Sequence, residues 1–133
     1  MRKAPGTRTR GRLQFCHVIV CAGLTLAASC GDCVLIARPA LEISVVDSRT
    51  NASVLAGSTI IATQGTGTYS ITVSASSDSR TISLAEGKSG RFNITVRRAG
   101  YQDFLAPDFF VAPGSCGNPV TEAITVRLVP TAP

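Results

Sequence analysis

A chain of 133 residues with a formal net charge of +5 is long enough for one domain around a single core, and its charge raises the question of an acidic or nucleic-acid partner. The distribution of that charge leaves no phosphate-tracking surface from Cys30 onward. Arg2, Lys3, Arg8, Arg10 and Arg12 crowd the start, whereas from Cys30 onward 8 basic residues balance 8 acidic ones with no cationic cluster.

In chain order, a basic segment (residues 1–12) leads into an apolar run (13–28) that closes in Leu26-Ala-Ala-Ser-Cys30. That succession is the pattern of an export signal that is removed. The lone histidine, His17, leaves with it, so the remaining chain has no imidazole for a general base, a triad or a histidine metal ligand. Small residues followed directly by cysteine resemble the lipobox of bacterial lipoproteins. The resemblance implies cleavage before Cys30, a diacylglycerol on its thiol with palmitate to follow, and a protein held to a membrane of the bacterial cell envelope. The expected division is a signal peptide (1–29), a lipidated tether (30–39) and a folded domain (40–133).

Two other readings stay open. Ala27 and Ser29 satisfy the small-x-small rule of ordinary signal peptidase. Residues 13–28 also fit a retained anchor, although about 16 apolar residues fall short of the roughly 20 that cross the hydrocarbon core.

Five cysteines look odd for an exported protein until processing is counted. Cys16 and Cys21 depart with the signal, and Cys30 becomes a thioether. Cys33 and Cys116 remain, and two thiols pair. Such a disulfide encloses over eighty residues and holds the folded domain within about 10 Å of the lipid, three residues away. Cys30-Gly-Asp-Cys33 also has the C-x-x-C spacing of a redox motif. However, Val34-Leu35-Ile36 follows it as a strand-like run, not as a helix whose dipole lowers a thiol pKa.

From residue 40 onward the apolar period is two. Leu41, Ile43 and Val45 alternate with Glu42, Ser44 and Val46. The same holds for Tyr69, Ile71 and Val73, for Ile82 and Leu84 about Ser83, for Phe92, Ile94 and Val96, and for Ile124, Val126 and Leu128. Each run offers one apolar and one polar face, as half-buried antiparallel strands require. Turn-forming residues separate them at 47–53, 64–67, 76–79, 87–90 and 112–114. No helical stripe persists for three turns, so the expected fold is an all-β sandwich of about seven strands.

Pro39-Ala-Leu-Glu-Ile-Ser-Val-Val-Asp47 with Leu55-Ala-Gly-Ser-Thr-Ile-Ile-Ala-Thr63, Gly90-Arg-Phe-Asn-Ile-Thr-Val-Arg-Arg-Ala-Gly-Tyr101, and Cys116 with Ile124-Thr-Val-Arg-Leu128 resemble the carboxypeptidase regulatory-like domains of small lipoproteins. Asn51-Ala52 stands where that family usually has Thr-Gly, and Val54 where it has a turn proline. The resemblance covers residues 40–129 and implies a prealbumin-like, Ig-like Greek-key sandwich, in which first and last strands often lie side by side. The same fold hosts a hydrolase that needs histidines and a C-terminal Tyr-Arg-Gly-Ser. This chain ends Arg127-Leu-Val-Pro-Thr-Ala-Pro133, so that activity does not transfer.

The remaining candidates each have a plain structural reading. Gly100-Tyr101 reads as a ligand contact or, preferably, as a corner tyrosine tied to nearby backbone. Asp47, Asp103 and Asp108 lack the spacing of a calcium loop and read as turn residues. The hydroxyls of 76–79 have no base to activate them. Gln64-Gly-Thr-Gly67 lacks the lysine and following helix of a phosphate loop. Asn51-Ala-Ser53 and Asn93-Ile-Thr95 match glycosylation acceptors, which go unused in a bacterial lipoprotein.

Phe104, Phe109 and Phe110 form the sharpest surface candidate. Phe109 and Phe110 are adjacent in sequence, so in a strand they face opposite sides, and one of them reads either as exposed for a partner or, equally, as half-buried at a sheet edge. The sequence therefore points to a non-catalytic, cofactor-free and metal-free module. It binds an envelope protein or polysaccharide, with a small-ligand carrier using a cleft of the sandwich as the alternative.

Overall fold

Alternation of apolar and polar side chains translates directly into burial. In the computed structural model, which describes Cys33 and residues 36–132, β1 (Leu41–Asp47) buries Leu41, Ile43, Val45 and Asp47 and turns Glu42, Ser44 and Val46 the other way. The same period sends inward Ile60 and Ala62 of β2 (Thr59–Gln64), Phe92, Ile94 and Val96 of β5 (Gly90–Arg97), and Val126 and Leu128 of β7 (Glu122–Leu128). With β3 (Gly67–Thr72), β4 (Ile82–Leu84) and β6 (Phe104–Val111) the described residues form seven strands and no α-helix. The proposed signal peptide, the alternative anchor at 13–28 and Cys30 lie outside the described residues.

The strands divide into two sheets. One has the order β4-β1-β7, with β1 antiparallel to β4 and parallel to β7. The other is an antiparallel sheet of order β3-β2-β5-β6. Buried residues of both sheets share one hydrophobic core, which makes the arrangement sandwich-like. First and last strands do lie side by side, from Leu41 opposite Glu122 to Asp47 opposite Leu128.

Strand directions define two poles. The starts of β1, β5 and β7 and the ends of β2 and β6 gather at one of them. The disulfide closes this pole: Cys33 is bonded to Cys116, 83 residues away, with Cα atoms 5.3 Å apart. The incoming chain is stitched to the same pole, because Gly87 N–H donates to the Arg38 carbonyl at 2.8 Å, Glu122 N–H to Ala40 at 2.9 Å and the Thr121 hydroxyl to Pro39 at 2.7 Å. At the opposite pole the two sheets meet through backbone bonds, Gln102 N–H to Val129 at 2.8 Å and Thr131 N–H to Gly100 at 2.9 Å.

Two segments depart from simple alternation. Residues 55–58 form a turn before β2 begins at Thr59: Ser58 N–H donates to the Leu55 carbonyl at 3.0 Å, and Gly57 has a φ of +80°. The Ser58 hydroxyl is fully buried and donates to the Val54 carbonyl at 2.8 Å, so its burial costs little. In β6, a bulge shifts the register against β5 between Phe92 and Ile94. Phe92 faces Phe109 while Ile94 faces Ala106, which leaves one extra residue on β6 and reverses the sense of its alternation.

Candidate functional site

The bulge decides which apolar side chains of β6 face outward. Before it, Phe104 and Ala106 face the core and Leu105 faces out; after it, Phe109 and Val111 face the core and Phe110 faces out. Leu105 is 68% exposed and Phe110 54% exposed. Phe109 packs against the core, so of the two adjacent phenylalanines Phe110 is the one presented. Phe104 also packs inward.

Polar groups around Phe110 are held in place. Asp108 has a φ of +61°, its N–H donates to Asn93 Oδ1 at 3.0 Å, and its carboxylate accepts from Arg91 Nη1 at 2.7 Å. The Arg91 guanidinium lies 5.7 Å from the centre of the Phe110 ring, a cation–π approach. Leu105 and Pro107 border a surface cavity of about 200 Å³ whose other walls include Asn93 and Thr95. The second outward ion pair, Arg97 Nε to Asp103 at 2.9 Å, lies nearer the start of β6. The arrangement is an apolar ridge on an edge strand, flanked by oriented guanidinium, amide and carboxylate groups. It can make hydrogen bonds and apolar contacts.

The sequence candidates for other chemistry are accounted for by local structure. Asp47 is 7% exposed; its Oδ1 accepts the N–H groups of Arg49 at 2.7 Å and Thr50 at 2.9 Å, and its Oδ2 accepts the Tyr101 hydroxyl at 3.0 Å. Tyr101 is thus a corner tyrosine, but its partner is a carboxylate rather than the nearby backbone. The N–H groups of Thr50 and Arg49 hold the Asp47 carboxyl below its ordinary value, with help from Tyr101 and against the opposing effect of burial. The bond to Asp47 raises the Tyr101 hydroxyl above its own ordinary value, and burial adds to this. The Arg98 guanidinium stacks 5.3 Å from the Tyr101 ring.

Asp103 and Asp108 are engaged by arginines, and among the described residues no group of three or more His, Cys, Asp or Glu side chains could hold a metal ion. Gln64-Gly-Thr-Gly67 is the hairpin joining β2 to β3, with Gln64 paired to Gly67. The serines at 76–79 bond their own turns, Ser76 N–H to Ser74 Oγ at 3.3 Å and Ser79 N–H to Ser77 Oγ at 3.2 Å. Asn51 Oδ1 accepts from Arg127. Cys33, one half of the C-x-x-C spacing, is taken by Cys116.

Sequence reading missed Leu105, Arg91 and Asn93 as members of this surface. The available signal was Pro107-Asp108 inside an apolar run, since proline in a strand marks an edge or a bulge. No family model and no curated relative matches the chain.

Proposed function

We propose that this chain is a bacterial envelope lipoprotein, cut before Cys30 and anchored by lipid on that residue, whose folded part is a non-catalytic docking module. The partner is an envelope protein or polysaccharide, and it binds the outward ridge of β6. The observation that carries this reading is the pairing of two strongly exposed apolar side chains, Leu105 and Phe110, with the fixed Arg91, Asn93 and Asp108 beside them. Exposed aromatic and arginine side chains in a prearranged polar rim are the usual energetic centres of an interface.

The short motifs at 39–63, 90–101 and 116–128 and the pairing of β1 with β7 support a Greek-key, prealbumin-like sandwich of the carboxypeptidase regulatory-like type. The space between the sheets is filled by Phe92, Leu41, Ile43, Ile60 and Leu128, all with essentially no exposed surface. That filling weighs against a carrier with a cleft between the sheets.

A photo-crosslinking residue placed at Phe110 in intact cells tests the docking site, with one at Ser70, on β3 at the far edge of the same sheet, as comparison. A discrete adduct at Phe110 that is absent at Ser70 is the expected result; equal labelling at both positions refutes it. Anchoring is tested by Cys30→Ser, which should move the protein from the membrane to the soluble envelope fraction. Retention at the wild-type level would make residues 13–28 a permanent anchor.

A further inference from the structure

A second exposed apolar feature sits at the disulfide pole, the pole at which the Phe110 end of β6 also arrives. Ile36 is 52% exposed and Val120 47% exposed, and both line a surface cavity of about 560 Å³ that also includes Arg38, Pro119, Thr121 and Cys116. The segments carrying these side chains are fixed. The disulfide holds the chain before Ile36, the bonds from Gly87 and Thr121 hold it after Ile36, and Val120 N–H donates to the Ala112 carbonyl at 2.9 Å. An exposed isoleucine and valine are therefore presented together on a rigid end of the molecule.

We infer that this pole lies on the lipid bilayer, with Ile36 and Val120 entering the boundary between headgroups and acyl chains. The inference rests on lipidation at Cys30. Two residues, Gly31 and Asp32, separate Cys30 from Cys33, so covalent geometry limits their Cα atoms to roughly 10 Å. The opposite pole, with Asp47 and Tyr101, is a further seven-residue strand away, about 23 Å. A lipid on Cys30 thus brings the Ile36–Val120 end to the membrane surface and keeps the other end off it.

Charge does not drive this contact. Arg38 and Lys88 at this pole are offset by Glu86 and Glu122, which stand on the neighbouring β4–β5 loop and the first position of β7. The contact is apolar, and it proceeds on neutral lipid and resists salt. It also orients the module, because the Phe110 end of β6 is held near the bilayer and the Leu105 end stands away from it.

The chain contains no tryptophan, so a single introduced indole reports its own depth. The full-length protein carrying Val120→Trp, purified with its lipid and reconstituted into phosphatidylcholine vesicles brominated high on the acyl chains, should be quenched several-fold more than Ala99→Trp at the opposite pole. Raising the salt should leave the quenching unchanged. Ile36→Trp provides a second reporter should Val120→Trp fold poorly. Mass spectrometry of the N-terminal peptide of the same preparation separates the two ideas. Lipid on Cys30 with equal quenching at both poles overturns the contact and leaves the anchor standing. An N-terminal peptide without lipid overturns both.

Discussion

Asp47 and Tyr101 join turns that belong to different sheets, and the strength of their bond depends on pH. Above the ordinary carboxylate pKa, 3.8 for aspartate, Asp47 is ionised in folded and unfolded chain alike and its bonds to Thr50, Arg49 and Tyr101 contribute in full. As pH falls through the lowered folded value that contribution is lost. Asp47→Asn should therefore melt several degrees lower at neutral pH and show a shallower loss of stability on acidification than the wild type, read by thermal unfolding across a pH series. The raised Tyr101 hydroxyl acts at the other end of the scale, its bond being present below pH 10 and lost as pH rises through the folded value.

Gly90 is a second residue whose identity matters. Its φ is +120°, and a Cβ there would stand 2.7 Å from Gln64 Nε2, the atom that donates to the Ser89 carbonyl at 2.6 Å. Gly90→Ala should lower the denaturant midpoint by the equivalent of about 1–3 kcal/mol, the cost of a strained backbone position.

Among the elements, β6 departs furthest from regular alternation, and the departure has a function. As an edge strand of eight residues it would offer a template for indiscriminate pairing, and a proline and a bulge are the means by which such edges are protected. Pro107 and Asp108 supply both at the place where the ridge is built. Asp108 tolerates its left-handed φ of +61°, which a β-branched residue does not. Asp108→Val should destabilise the protein by about 1–2 kcal/mol, whereas Asp108→Gly should be nearly neutral, because the exposed ion pair with Arg91 contributes only about 0–1 kcal/mol. Chemical denaturation of the two variants checks the contrast. If both fall equally, the ion pair rather than the backbone holds the bulge.

The molecule as a whole is closed by a covalent bond. The disulfide spans 83 residues, for which the loss of unfolded-chain entropy corresponds to about 4–5 kcal/mol, a large part of the roughly 5–15 kcal/mol available to a domain of this size. Cys116→Ser should lower the unfolding free energy by that order, measured by urea titration under oxidising conditions. A change below about 1 kcal/mol would mean that the unfolded chain stays compact without the bond. At the same scale the balance of 8 basic and 8 acidic residues from Cys30 onward implies that processed protein washes from a heparin column at low salt. Retention to several hundred millimolar would reveal a clustering of arginines that the sum conceals.

Strands with an unbroken period of two were legible without coordinates, because burial of one face of a pleated strand is a local property. Leu41, Ile43 and Val45, Phe92, Ile94 and Val96, and Val126 with Leu128 all face the core as their spacing requires. The pairing of Cys33 with Cys116 was legible for a different reason: if Cys16 and Cys21 leave with a signal peptide and Cys30 carries a lipid, no other thiol is left for them.

Where a pattern depends on a neighbour, sequence alone falls silent. The bulge opposite Phe92 and Ile94 decides which of Phe109 and Phe110 is presented, and a strand does not record its partner's register. Arg91 meets Asp108 across 17 positions and Tyr101 meets Asp47 across 54; nothing local to either residue specifies the other. Period thus determined the inward faces of β1, β5 and β7, whereas the apolar face expected for Tyr69, Ile71 and Val73 did not form as such, Ile71 being exposed. The β6 ridge and the clamp between the sheets were decided by tertiary structure, because each is a contact between segments brought together only when the core is buried.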